Sequence, residues 1–232
     1  MSLRRELDVY FSDPADWSDA DVAAASAILS EPERQRAGRF RFDRDRRLYV
    51  AAHSILRRVL GERLSERPEA LEFDQNAYGR PELAGRHPRA LRFSISHSHG
   101  MAMCAVIPET DIGVDVEPVG REMPLSVAER CFARFELEDV LRLPEAERAA
   151  RFFQYWTLKE AYVKARGIGL SLPLDRVAFR ISADSVEFAP DSAVEPSAAH
   201  WTFRSFRVAP THQTALALRT DVPVEVRTHR VR

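Results

Sequence analysis

The stretch Glu145–Arg166 constrains this chain most. It reads as one helix, on which Trp156, Glu160 and Lys164 fall at i, i+4 and i+8 and so line one face. That face offers an aromatic anchor, a carboxylate and an ammonium in a row. Upstream, Gly113-Val114-Asp115-Val116-Glu117 reads as a strand. Asp115 and Glu117 lie two apart, so both carboxylates project from the same side of it. Three carboxylates and a lysine, drawn from one strand and one helix, can hold a hard cation and a phosphate together.

The rest of the chain alternates in the same style. A strand is expected over 7–11. A helix follows over 16–29, with Ser18 as its N-cap and Asp21 in the first turn. A short helix is expected over 33–42. Over 46–60, Leu48, Ala51, Ala52, Ile55, Leu56 and Val59 keep the 3.6 period, and Gly61 is expected to end that helix. Strands are expected over 71–74 and 91–96, with an Asn76-Ala77-Tyr78-Gly79 turn between them. Residues 101–107 and 112–117 read as neighbouring strands around Pro108-Glu109-Thr110-Asp111. The second half repeats the pattern, with helices over 125–132, 136–143 and 145–166. Strands follow over 177–181, 185–188, 201–208, 214–218 and 222–226, and 189–199 reads as loop. Helices followed by an antiparallel sheet, twice over, make an α+β chain.

Bulk properties narrow the function classes. A length of 232 residues suits one large domain or two small ones. The formal net charge is −1, so there is no overall basic field of the kind nucleic-acid binders carry, and no nucleic-acid partner is expected. Charge is local instead: arginines crowd residues 34 to 58 and acids crowd 13 to 33. Cys104 and Cys131 are the only cysteines and have no C-x-x-C spacing, which argues against a disulfide framework and a structural zinc site. The opening Met1-Ser2-Leu3-Arg4-Arg5-Glu6 lacks the apolar run of a signal peptide, and no apolar segment approaches the ~20 residues of a membrane span. A cytoplasmic location without a membrane partner is the expectation.

Each candidate has a plainer reading beside it. An isolated D-x-E pair is most simply a solvated strand face, and Glu160 with Lys164 a surface ion pair worth a few tenths of a kcal/mol. The apolar neighbours Gly113, Val114 and Val116, together with the helix contents, favour a Mg²⁺ site of Asp115, Glu117 and Glu160, with Lys164 on a phosphate oxygen. Lys159 points about 100° away from Glu160 and is either structural or a diphosphate contact. Trp156 reads as core. Ser96-His97-Ser98-His99 follows a strand and can make a phosphate nest. Gly79 in Tyr78-Gly79-Arg80-Pro81 lets backbone approach a ligand. Arg34, Arg39 and Arg47 are as readily solvated as functional. There is no G-x-S-x-G, P-loop or G-x-G-x-x-G, so the chain shows no nucleophile of its own. A metal-dependent phosphohydrolase or nuclease using the Asp115/Glu117 pair is the alternative at this point.

These motifs in their order resemble the 4'-phosphopantetheinyl transferases of the longer, surfactin-synthetase-activating type. The set runs from Glu33-Arg34-Gln35-Arg36 with Arg39-Phe40, through Tyr78-Gly79-Arg80-Pro81 and Phe93-Ser94-Ile95-Ser96-His97-Ser98, to G-V-D-V-E, W-T-L-K-E-A-Y-V-K and Gly169-Leu170-Ser171-Leu172-Pro173-Leu174. The resemblance covers residues 30 to 180 or so. It implies two similar α+β halves related by a pseudo-twofold, 1–110 and 111–232, with the active site in the cleft between them. It implies coenzyme A as co-substrate and Mg²⁺ as cofactor. An apo acyl or peptidyl carrier protein would be the partner, and a monomer is expected. Arg36, Tyr78, Gly79, Arg80, Pro81, Ser96, His97 and Lys164 would contact coenzyme A. Asp115, Glu117 and Glu160 would hold the metal, and Glu160 and Lys164 would be catalytic. Arg80 stands where the family often has lysine, and His99 lies outside the motif.

Overall fold

The computed structural model describes residues 5–85, 91–182 and 185–232, so the N-terminal residues 1–4 that were read for a leader lie outside it. Two compact units share the chain. The first holds residues up to Asn76, Pro81–Thr110 and Val222–Arg232; the second holds Ala77–Arg80 and Asp111–Asp221.

The first unit opens with β1 (Arg5–Ser12), followed by α1 (Asp19–Ala27), α2 (Glu31–Ala37) and α3 (Asp43–Leu64). Both short helices start on a capping box. Ser18 pairs with Asp21 and Ser30 with Glu33, so each serine accepts from a backbone N–H and each acid accepts from the serine N–H. In α3 all six residues of the apolar period are buried. A buried aliphatic side chain contributes about 1.5–3 kcal/mol, so this stripe decides where an otherwise arginine-rich helix lies. Gly61 does not end α3. It is buried inside the helix, which stops at Ser65 in the left-handed conformation. A Cβ on Gly61 would sit 2.8 Å from the Glu66 carbonyl oxygen, so glycine is needed there for the returning chain, not for a cap.

Strands β2 (Phe73–Gln75) and β3 (Pro81–Leu83) pair around the Asn76–Arg80 turn. β4 (Leu91–Ser98) and β5 (Met101–Pro108) form an antiparallel hairpin. His99 and Gly100 both have positive φ at its tip, the geometry a two-residue hairpin turn prefers. The unit's main sheet runs β11-β1-β5-β4, where β11 is the chain's last strand (Val224–Arg230). β11 pairs parallel to β1, so the final residues complete the first unit's sheet and not the antiparallel sheet expected of the second half.

The second unit begins with β6 (Ile112–Pro118) and continues through α4 (Leu125–Cys131), α5 (Arg134–Arg142) and α6 (Glu145–Arg166). β7 (Phe179–Ile181), β8 (Val186–Phe188), β9 (Trp201–Ala209) and β10 (His212–Arg219) complete it. Its main sheet is antiparallel, in the order β6-β10-β9, with a β7-β8 hairpin beside it. β5 and β6 are therefore not partners: β5 is filled on both edges by β1 and β4, and β6 pairs with β10. Phe152, Phe153, Tyr155, Leu158 and Tyr162 of α6 pack with Phe179, Trp201 and Phe203 in the core. Each unit combines helices with a mostly antiparallel sheet, which makes the chain α+β. Among the described residues no helix is long and apolar enough to cross a membrane.

Candidate active site

From Phe152 onward helix α6 is buried nearly all round, and the expected face holds most of the exceptions. From Phe152 to Ala165 only Gln154, Trp156, Glu160 and Lys164 escape full burial. The expected i, i+4, i+8 face is thus the accessible stripe of a core helix. Trp156 is half-buried and stacks on Phe152 at 6.1 Å between ring centres, so it anchors the helix as expected. β6 lies against this helix. Its Ile112, Val114 and Val116 are buried on one face, while Gly113, Asp115 and Glu117 share the other.

Across that seam Lys164 Nζ donates to Asp115 Oδ1 at 2.7 Å. Lysine 164 therefore pairs with the strand carboxylate, not along its own helix with Glu160 as the plain surface reading has it. Glu117 accepts from Arg121 at 3.0 Å, and Arg121 also lies over the Phe153 ring. Burial pushes the Glu160 carboxyl up to about 6, and the negative charge of Asp115 adds to the rise; Lys164 opposes it, and Glu117 adds a smaller upward push. Asp115, Glu117 and Lys164 are thus close enough to Glu160 to act on its proton affinity, beside the burial that dominates it.

Lys159 has a different fate. It is fully buried, as is Glu136, and the two are 2.7 Å apart. Lys159 also donates to the carbonyls of Leu174, at 2.9 Å, and Val177. Glu136 accepts from the Ala133 N–H at 2.7 Å and the Phe179 N–H at 2.8 Å. Burial works against both charges, raising Glu136 and lowering Lys159, and their mutual attraction offsets part of it. Of the two readings open for Lys159 this geometry supports the structural one: it locks α6 to α5 and to the segment before β7. Sequence reasoning missed Glu136, since an acid in a helix's first turn carries no mark of burial.

Mg²⁺ prefers oxygen donors, and Asp115, Glu117 and Glu160 are an all-oxygen set. The donor chemistry fits that cation; burial is the main cause of the raised Glu160, and the neighbouring Asp115 charge, which a cation would offset, adds to it. In this structure two of the three carboxylates are engaged by Lys164 and Arg121, and among the described residues no three acid, histidine or cysteine side chains already stand at ligand spacing.

The remaining candidates divide between the units. Arg36 is exposed on α2, its guanidinium 5.8 Å from the centre of the Tyr49 ring. It lines an open cavity of about 570 Å³ with Pro32, Gln35, Arg39 and Phe40. One turn earlier on α2, Glu33 is tied to α3 through His53 at 3.1 Å and Arg57 at 2.7 Å. Burial raises the Glu33 carboxyl, but those two bonds and the Ser30 N–H outweigh it and hold it down at about 2. Ser96 is buried and His97 exposed near the end of β4. Arg34 bonds Glu31 and the Leu29 carbonyl, and Arg47 bonds Asp43, Asp19 and the Trp17 carbonyl. Both arginines knit helix ends together.

In the second unit Tyr78 is 58 % exposed and Gly79 adopts φ 83°. Arg80 donates to the carbonyls of Ala165, at 2.8 Å, and Ile112, at 3.3 Å, bridging the end of α6 and the start of β6. Pro81 opens β3 in the first unit.

Carboxylates beside an ammonium on one strand and one helix are groups of the kind that can serve phosphate chemistry. Comparison with known proteins identifies the family. Residues 111–218 match the model of the 4'-phosphopantetheinyl transferase superfamily, and residues 15–109 match that of the 4'-phosphopantetheinyl transferase N-terminal region. The chain is 39 % identical over 160 residues to 4'-phosphopantetheinyl transferase HetI of Nostoc, covering 68 % of each chain. It is 30 % identical over 172 residues to 4'-phosphopantetheinyl transferase Sfp of Bacillus subtilis, covering 72 % of this chain and 73 % of that one. The Bacillus subtilis transferase ffp aligns over 94 % of both chains at 28 % identity. A crystal structure of Thermotoga maritima holo-[acyl-carrier-protein] synthase is similar over 47 % of this chain and 62 % of its own, at 24 % identity and a TM-score of 0.39, too weak a likeness to argue from. The chain belongs to the 4'-phosphopantetheinyl transferase family, in its longer form, and is an enzyme of that class.

Proposed function

We propose that this enzyme transfers the 4'-phosphopantetheine group of coenzyme A to a serine of an apo acyl or peptidyl carrier protein, releasing 3',5'-ADP. The observation that carries this reading is the meeting of Asp115, Glu160 and Lys164 on one strand–helix seam. The serine oxygen forms the new bond to the phosphorus that bears the pantetheine arm. The bond from that phosphorus to the ADP oxygen breaks, and the serine proton leaves. Glu160, with its carboxyl near 6, is a stronger base than an ordinary glutamate and still ionised near neutral pH, which suits it to take that proton. Lys164 offers its ammonium to a diphosphate oxygen and counters charge building on the leaving side. Asp115, Glu117 and Glu160 would hold Mg²⁺, which supplies charge neutralisation of the diphosphate when bound. In the first unit, Arg36 beside its open cavity, with Ser96 and His97 on β4, would serve the phosphates of coenzyme A. Tyr78, Gly79 and Pro81 would lie along the adenosine end, and Arg80 would hold the turn in place through its two carbonyl bonds.

The test is a mass measurement on a panel of apo carriers incubated with coenzyme A, Mg²⁺ and the protein. Gain of the phosphopantetheine mass on the carrier serine is expected. A folded protein that leaves every carrier unmodified would sink the reading. Release of free phosphate from simple diphosphates would instead point to water as the nucleophile.

A further inference from the structure

The seam between β6 and α6 is closer than any side chain allows. A Cβ built on Gly113 would lie 1.8 Å from the Ala161 carbonyl oxygen, 2.6 Å from the Ala165 nitrogen and 2.9 Å from the Ala161 carbonyl carbon. All three are helix backbone, so no rotamer change relieves the overlap. Ala161 follows Glu160 and Ala165 follows Lys164. Gly113 is one strand repeat from Asp115 and shares its face. Neighbouring Ala215 and Ala217 of β10, paired with Asp115 and Gly113, are also small and fully buried. Arg80 clips the same place, bonding the carbonyls of Ile112 and Ala165.

We infer that Gly113 is a positioning residue whose missing side chain sets the strand–helix spacing at which Asp115 meets Lys164 and stands beside Glu160. This rests on the reading of those three groups as the reacting set. A methyl at 113 must drive the helix backbone away from the strand, because ordinary van der Waals contact begins near 3.4 Å. A displacement on the order of 1 Å at a reacting centre costs roughly 10²-fold in rate.

The chain offers a readout that needs no substrate. Lys159 and Lys164 are its only lysines, and Lys159 is fully buried, so an amine-acylating reagent reports on Lys164 with the N-terminal amine as internal reference. In the wild type the 2.7 Å hydrogen bond to Asp115 engages the Lys164 amine and slows its reaction. Asp115→Asn removes the charged acceptor of that hydrogen bond and calibrates the released rate, expected to be several-fold faster. Gly113→Ala should approach that rate, and its kcat for carrier modification should fall about 10²-fold while the KM for coenzyme A moves much less. Val114→Ala, on the opposite face of β6, removes buried volume without touching the seam, and should keep the wild-type labelling rate and kcat. Should Gly113→Ala fail to fold, Ala217→Val crowds the same face and decides the matter in the same two readouts.

A folded Gly113→Ala or Ala217→Val with wild-type labelling and kcat overturns the inference. So does a Val114→Ala protein that loses both in proportion to its lost stability, or an Asp115→Asn protein whose Lys164 reacts no faster. If the wild type modifies no carrier, the functional reading fails, while labelling still judges Gly113.

Discussion

Replacing Lys159 by methionine would remove one partner of a fully buried ion pair and leave the other behind. Glu136 would keep its two backbone N–H donors, from Ala133 and Phe179, but lose the ammonium 2.7 Å away. The carbonyls of Leu174 and Val177 would lose a shared donor as well. Breaking a buried pair from one side typically costs about 3–5 kcal/mol, a large part of the ~5–15 kcal/mol that holds a domain together. In a chain of this length that is a fall in Tm of roughly 6–20 °C. Adding Glu136→Gln to Lys159→Met should recover about 2 kcal/mol, because a neutral amide replaces the unpaired charge and still accepts from Phe179. Urea unfolding of the wild type, both single variants and the double variant, near neutral pH, yields the coupling energy. Calorimetric titration with coenzyme A runs alongside. Lys159→Met within about 1 kcal/mol of the wild type, with coenzyme A binding weakened, would refute the structural assignment and put Lys159 on the diphosphate.

Three further outcomes follow from the same geometry. Glu160 loses its proton at about 4.5 unfolded and about 6 folded, so in chelator the unfolded state binds fewer protons between those values. Stability should therefore fall by about 2 kcal/mol as pH rises through that window, and Glu160→Gln should flatten the decline in pH-dependent melts. Asp115→Ala should abolish carrier modification with the fold retained by circular dichroism, and chelator should silence the wild type until Mg²⁺ or Mn²⁺ is restored; an active variant at ordinary Mg²⁺ takes Asp115 out of the site. Arg36→Ala should weaken coenzyme A more than 3'-dephospho-coenzyme A in binding titrations, and equal losses would leave Arg36 as a partner of Tyr49 only.

Much of this molecule follows from local periodicity. The apolar stripe of α3, the capping boxes at Ser18 and Ser30, and the direction of Asp115 and Glu117 from β6 are set by each segment's own backbone. So is the face shared by Trp156, Glu160 and Lys164. A 3.6 or 2.0 residue repeat determines where a side chain points relative to its own element. It says nothing about what arrives opposite. Packing decided that Lys164 meets Asp115 and that Lys159, one residue before Glu160, sits unexposed on a glutamate 23 positions away. Packing also made Gly61 and Gly113 passages for another backbone, and it turned the last strand back beside the first. These outcomes depend on distances between segments far apart in the chain, and such distances come only from the assembled core.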